Sequence, residues 1–352
     1  MATDMRNPGA ILVIGFGGNG VGDHIIATPF VRNLAQNFPA AAMDFAASSQ
    51  AGVELLRENP YLRDCFVLDM DCFRFGGKRP VVQKASYLSW LRGKRYDRIY
   101  VLSTKTRHAI AALLAGAPER IGFASHHRHV FLTRHWFEPL EKNLVDRFLD
   151  LLRLDGLAVA SNTVEMHLLD AEVAEAERLR GDLFPGSAPV VAVAPFAADM
   201  RRTWGLRAFS ELVSRCRAEG FGVVVLGSPA ERRLLDGIPF PAGNGVAIVA
   251  GRLSVRQSAA LIKTSDAFVG NDSGLAHVAG AVGPRGIVIG YHVTRTWYPS
   301  SPSIQTIIRV PGCCSCDISA CVGDTGAVPP CFQAVPVGEV MERLIPLVRG
   351  RT

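Results

Sequence analysis

No apolar run in this 352-residue chain approaches the ~20 residues that a membrane-spanning helix needs. Low-complexity tracts and short internal repeats are also missing, which excludes fibrous and solenoid architectures. Runs of like charge are absent too: 38 Lys and Arg against 32 Asp and Glu leave a net charge of +6, and the basic residues read as scattered. Nucleic acid is therefore not an expected partner, whereas small acidic substrates would be attracted. The segment Met1-Ala2-Thr3-Asp4-Met5-Arg6 runs into a strand that ends in glycines rather than in a cleavage site, so a cytoplasmic location is expected.

What is present fits a soluble globular protein, with 48% hydrophobic and 20% charged residues and length for about two domains. Ala10 to Ile14 reads as a buried first strand, followed by a Gly-rich loop to Asp23 and a helix from about Pro29 to Asn37. Strand signals recur at Ala42 to Ala46, Cys65 to Leu68 and Arg98 to Leu102, with helical pieces between them, the pattern of a parallel sheet covered by helices. A charged helical segment from Asp170 to Leu183 ends at Phe184-Pro185-Gly186-Ser187. The pattern then restarts with a strand from Pro189 to Ala194, a helix from Leu206 to Glu219 and a strand from Gly222 to Leu226. The expected architecture is α/β: a doubly wound domain over 1–165, a linker over 166–187 and a second doubly wound domain over 188–352. Such sheets bind ligands at the carboxyl ends of their strands, and a cleft between the two halves is expected.

Two segments carry chemistry. Gly15-Phe16-Gly17-Gly18-Asn19-Gly20 matches G-x-G-x-x-G after a strand, with Asp44 placed to meet a ribose, which makes an NAD(P)-dependent oxidoreductase a live alternative. Against it, no helix is expected to open directly at Gly20, because Val21-Gly22-Asp23-His24 intervene. In Val269-Gly270-Asn271-Asp272-Ser273-Gly274-Leu275-Ala276-His277-Val278-Ala279, an apolar strand ends in small polar residues and a helical pattern begins at once. A helix N-terminus of that kind offers free N–H groups to an anion such as phosphate, with Asp272 or Ser273 able to cap it.

Four segments in order give the chain a specific resemblance: Gly22-Asp23-His24-Ile25-Ile26-Ala27-Thr28-Pro29, Glu119-Arg120-Ile121-Gly122-Phe123, Val145-Asp146-Arg147-Phe148-Leu149-Asp150-Leu151-Leu152 and Gly270 to His277. Together they resemble glycosyltransferase family 9, the ADP-heptose heptosyltransferases. The resemblance implies a GT-B fold of two Rossmann-like domains facing a cleft. It also implies an inverting transfer that needs no cofactor, with the nucleotide sugar held mainly by the C-terminal domain. The expected partners are a nucleotide-sugar donor, either lipopolysaccharide core or a protein hydroxyl as acceptor, and, for assembly, a homo-oligomer. A nucleotide-sugar-binding scaffold without catalysis is a further alternative.

Residue roles follow from the chemistry of such a transfer. The acceptor hydroxyl loses a proton as it attacks, so a carboxylate base is required, and Asp23 matches the family's candidate. The departing diphosphate gathers negative charge, to be met by the N–H groups of Ser273, Gly274 and Leu275, with Asp272 ordering the loop or touching the sugar. The family's phosphate-binding lysine lies in a K-x-W-P-like segment. Here Arg202 takes the lysine's place and Gly205 the proline's in Met200-Arg201-Arg202-Thr203-Trp204-Gly205, preceded by Ala197 and Ala198 where small hydroxyl residues are common. Glu231 resembles the acid that holds the ribose or donor sugar, and Leu253 an adenine-pocket position. Asp69-Met70-Asp71 and His126-His127-Arg128-His129 read as loops rather than metal sites.

Five of the eight cysteines fall between Cys313 and Cys331, in Cys313-Cys314-Ser315-Cys316-Asp317-Ile318-Ser319-Ala320-Cys321 and then Cys331. A C-x2-C pair followed by two more cysteines in a Gly/Pro-rich loop is metal-site spacing. Cysteine-rich bacterial autotransporter heptosyltransferases carry a four-cysteine iron site in this region, and that resemblance implies a structural iron or zinc on Cys313, Cys316, Cys321 and Cys331. Cys65, Cys72 and Cys216 read as buried small apolar residues.

Overall fold

The computed structural model describes residues 7–18, 20–73, 78–124, 128–186, 188–236, 240–291, 296–311, 321 and 328–350, the side chains of Arg128 and His129 excepted. The chain divides into two compact units, Met1–His167 and Leu168–Thr352.

The first unit runs β1 (Ala10–Ile14), α1 (Val21–Ile26), α2 (Thr28–Asn37), β2 (Ala42–Ala47), α3 (Gln50–Leu56), β3 (Asp64–Val67), α4 (Val81–Gly93), β4 (Arg98–Val101), α5 (Thr106–Ala115), β5 (Glu119–Ala124), β6 (Arg134–Phe137) and α6 (Leu144–Leu154). Its strands are parallel throughout, in the order β3-β2-β1-β4-β5-β6. Helices cover the central strands on both faces, so β1 reads as an unbroken apolar run with Ile11, Leu12 and Val13 wholly buried.

The second unit runs α7 (Asp170–Leu183), β7 (Val190–Ala194), α8 (Leu206–Ala218), β8 (Gly222–Val225), α9 (Pro229–Arg232), β9 (Val246–Ile248), α10 (Val255–Thr264), β10 (Ala267–Asn271), α11 (Gly274–Val282), β11 (Gly286–Ile289), β12 (Ile304–Ile307), α12 (Pro330–Gln333) and α13 (Val337–Arg349). Its parallel sheet has the order β12-β11-β10-β7-β8-β9. Counted from its own first strand, each sheet is therefore 3-2-1-4-5-6, the doubly wound order expected of a Rossmann-like domain. Most of the 166–187 segment is α7, which is held inside this unit: Arg256 Nε and Nη2 reach Glu172 at 2.6 and 2.5 Å, and Arg180 Nη2 reaches Asp266 at 2.5 Å.

Strand order reverses between β1 and β4 in one sheet and between β7 and β10 in the other. The loops leaving those neighbouring strands turn to opposite faces and open a crevice at their carboxyl ends. Among the cysteines read as apolar core, Cys216 is buried against Met341, Sγ to Sδ 3.8 Å, whereas Cys65 and Cys72 are only half-buried. Cys65 lies in the thin edge strand β3, which has a neighbour on one side only, and Cys72 follows it.

Candidate functional site

At the first switch point, α1 opens at Val21 with Gly20 as its N-cap, against the expectation that no helix begins there. Asp23 is the third helical residue, and its Oδ2 accepts the Gly20 N–H at 3.1 Å. The carboxylate lies so close to the loop that a Cβ on Gly18 would stand 1.9 Å from Oδ2, so any side chain there would displace the carboxylate. Burial raises the Asp23 pKa above the usual carboxylate value, opposed by the Gly20 N–H and the charge of Lys105. A carboxylate in that position is a better proton acceptor than an exposed one.

The neighbouring His24 is 2% exposed and holds the loop from below. The Ser48 N–H lies 3.3 Å from Nε2, which must therefore accept, so Nδ1 carries the proton and donates to Gly20 O at 3.0 Å. Burial lowers the His24 pKa and keeps the ring neutral.

The oxidoreductase alternative fails on Asp44. This residue lies inside β2, wholly buried, where its Oδ1 and Oδ2 accept from Arg63 Nε and Nη2 at 2.9 and 2.6 Å and Oδ2 also from Tyr96 OH at 2.7 Å. A ribose-binding acid must present its oxygens at the strand's carboxyl end, and both of these are engaged in the core.

A cavity of about 900 Å³ opens beside the Asp23 loop, lined by Gly15, Gly17, Ser48, Asp69, Arg79 and Tyr87 among others. Asp69 and Asp71 face its rim as neither a free nor a metal-ready pair. Asp69 Oδ2 holds Arg79 Nε at 2.8 Å, and Asp71 Oδ2 accepts the Arg79 N–H at 2.9 Å. His126 and His127 lie outside the described residues.

At the second switch point the donor candidates gather on adjacent strand ends. Asp272, Ser273, Gly274 and Leu275 are half-exposed, while the helix behind them is buried from Ala276 to Gly280. Ser273 is the N-cap residue of α11, yet its hydroxyl makes no cap hydrogen bond, contrary to the capping role open to it. The Ala276 N–H turns back to Ser273 O at 3.0 Å, and the N–H groups of Gly274 and Leu275 at the helix start are the ones placed for an anion. Opposite, after β7, Asp199 grips Arg201 through two contacts, Nε to Oδ1 at 2.9 Å and Nη2 to Oδ2 at 3.0 Å. Arg202 has only a loose 3.8 Å approach to Asp199 Oδ2, and its side chain is 48% exposed. Of the two arginines, Arg202 is the one whose guanidinium can turn to an incoming diphosphate.

Asn271, quoted in the motif but given no role from sequence, joins these two loops. It is wholly buried at the end of β10, donates from Nδ2 to Pro195 O at 2.7 Å and accepts the Trp204 N–H at Oδ1 at 2.9 Å. A polar residue closing an apolar strand was the available signal. The departure at Gly205 has a backbone cause: its φ is +92°, a conformation closed to the proline of the family's segment.

Glu231 and Leu253 stand at the start of α9 and just before α10. Glu231 Oε2 accepts the Ser228 N–H at 2.6 Å while Ser228 Oγ accepts the Glu231 N–H at 3.3 Å, a reciprocal cap on α9. Leu253 is half-buried in the turn before α10.

Cys313 and Cys316 lie outside the described residues, as does Cys314. Cys331 is 2% exposed within α12, and Cys321 is half-exposed. Among the described residues no group of three or more His, Cys, Asp or Glu is placed to hold a metal ion.

The family model described as glycosyltransferase family 9 (heptosyltransferase) matches residues 86–320. Lipopolysaccharide heptosyltransferase 2 of Escherichia coli (strain K12) is 28% identical over 306 residues, covering 83% of this chain and 83% of that protein. The solved structure of E. coli ADP-heptose lps heptosyltransferase II superposes with a TM-score of 0.78 at 23% identity, over 97% of this chain and 99% of that one. The iron-containing dodecameric glycosyltransferase TibC from enterotoxigenic E. coli H10407 shares the fold at a TM-score of 0.58 and 14% identity, over 99% of this chain and 78% of that one. With more than half of its length matched by the family model and both of its units built in the same way, the chain belongs to glycosyltransferase family 9, the heptosyltransferases.

Proposed function

We propose that this enzyme transfers heptose from ADP-heptose to a hydroxyl of lipopolysaccharide core with inversion at the anomeric carbon. The observation that carries the reading is the second switch point, where a helix N-terminus without a cap from the Ser273 side chain and a half-exposed arginine sit on loops joined by Asn271. Phosphate oxygens of the donor would accept the α11 N–H groups and Arg202, so the charge that builds on the departing ADP is met as the bond breaks. In the first unit, the cavity beside Gly17 would receive the acceptor, and Asp23 would take its hydroxyl proton. The sequence relatives are lipopolysaccharide heptosyltransferases, which supports a glycolipid acceptor.

The cysteine spacing supports a second reading, in which the acceptor is a protein hydroxyl, since the iron-containing TibC shares this fold. A tetrathiolate on Cys313, Cys316, Cys321 and Cys331 suits one iron or zinc ion, and it would brace the loop without entering the transfer. The fit rests on Cys331. It is buried beside Phe332 in the second unit's core, so a ligand there would tie the loop to a fixed point. Incubating the enzyme with ADP-heptose and either a heptose-deficient core or an autotransporter passenger, and following ADP release, decides between acceptors. No release with either would overturn both readings.

A further inference from the structure

The cations that read as scattered along the chain are not evenly spread. From Lys78 to Arg95 there are six, Lys78, Arg79, Lys84, Arg92, Lys94 and Arg95, and no Asp or Glu, so this stretch alone carries +6, as much as the net charge of the whole chain. Helix α4 occupies most of it and is the least covered long helix of the first unit, with Leu91 its one buried residue. Val81 is 81% exposed, Val82 76% and Trp90 42%.

A solvated helix face is normally polar and charged on its outer side. Here the exposed residues of α4 are valine, alanine, serine, tryptophan, glycine, Gln83 and a single charged residue, Arg92, and the cations lie mainly at its two ends. Two of those cations have acidic partners, Arg79 on Asp69 at 2.8 Å and Lys94 on Asp64 at 2.8 Å. Lys94 also sits over the Trp90 ring, 5.2 Å from its centroid. An exposed helix face that carries three large apolar side chains and no acid of its own, with cations at both ends in excess of the acids that pair with them, complements a surface that is greasy below and anionic above. The same segment forms part of the cavity wall through Arg79, Val82, Gln83, Ser86 and Tyr87.

We propose that α4 and its flanking cations seat this enzyme on an anionic lipid surface, with the mouth of the cavity beside the lipid-borne acceptor. Val81, Val82 and Trp90 enter the headgroup boundary, and Lys78, Lys84 and Arg92 lie against lipid phosphates. The placement of the acceptor rests on the glycolipid reading, whereas the docking itself does not.

The test is co-sedimentation of the full chain with vesicles of phosphatidylglycerol and phosphatidylcholine, against vesicles of phosphatidylcholine alone. The enzyme should sediment with the anionic vesicles only, and less so as salt rises. Lys78→Glu with Val81→Asp should lower that partition roughly tenfold or more, since one surface cation is worth about fivefold and both changes oppose entry. An acid in the first turn suits a helix N-terminus, so the melting temperature should hold. Lys78→Gln with Val81→Ser is the milder variant if the first does not fold. Wild-type partition by the variants, equal binding to neutral vesicles, or no sedimentation would overturn the proposal. So would a concentration-dependent dimer that the variants break, since the face would then belong to a second copy. ADP release with a delipidated acceptor, measured on the same proteins, reports on the transfer reading separately.

Discussion

The side chain of Asn271 holds the backbone of Trp204: Oδ1 accepts the Trp204 N–H at 2.9 Å, and the other half of the amide donates to Pro195 O at 2.7 Å. One buried carboxamide thus fixes the entry and the exit of the loop that carries Arg202, and it does so from the residue before Asp272. Asn271→Ala should cost roughly 2–4 kcal/mol, because two buried backbone groups lose their partners. ADP affinity should fall with it. Urea denaturation and calorimetry check both, and a variant as stable as wild type would show that the strap is dispensable.

Asp23→Asn should lower turnover by roughly 100-fold or more with donor affinity nearly intact, the scale of a lost general base. The base works deprotonated, so kcat/KM should fall as pH drops through its pKa. Burial places that acid limb above the usual carboxylate range. A pH profile of the variant that keeps the same limb would move the role elsewhere.

Loss of Arg202 should weaken ADP binding by roughly 2–3 kcal/mol, the scale of a charge-assisted hydrogen bond covered by ligand. Arg202→Lys should recover most of it, since the family's segment uses lysine. Arg201→Ala should act through Asp199 instead, loosening the turn with a smaller effect on the nucleotide. Calorimetric affinities of the three variants in the reverse order would refute this division.

Acid should destabilise the second unit through His277, whose ring burial lowers its pKa to about 4. The unfolded ring titrates near 6.5, so below that pH the unfolded chain binds the extra proton, and stability falls as pH drops from about 6.5 towards 4. The full loss is on the order of 3 kcal/mol. Melting curves across that window should be flatter for His277→Gln, and parallel curves would remove the histidine from the account.

Elemental analysis of the purified enzyme should give about one iron or zinc per chain, as four thiolates suit one tetrahedral ion. Cys331→Ser should lower the metal content and the melting temperature together while leaving slow transfer measurable. Metal-free protein whose thiols all titrate in the folded state would end the idea.

The paired doubly wound halves were legible because period and punctuation agree: strands such as Val190–Ala194 are apolar throughout and end in turn residues. α1 was not, since Gly20 and Gly22 are poor helix residues and the helix is held by Asp23 and His24 reaching back to Gly20. α4 was obscured for another reason, as one side chain of its length is buried and its apolar residues do not recur at the spacing of a core-facing helix. Motif residues at the second switch point could be named from sequence, but their bonds could not. Glu231 as a cap, Ser273 as a cap in backbone only and Asn271 as a strap depend on atoms brought together by folding.

Gly205 ties the history of one segment to that of another. Its φ of +92° forbids proline, and a Cβ on it would stand 2.8 Å from Val328 Cγ2, at the near end of the cysteine stretch. Reversion toward the family's Trp-Pro pair cannot therefore proceed one residue at a time: it needs a different turn after Trp204 and a smaller side chain at 328 in the same protein. The donor turn and position 328 are thus coupled in one direction: a chimera that takes only the proline-bearing turn sets its Cβ against Val328, whereas one that takes only the cysteine segment keeps Gly205 and meets no clash.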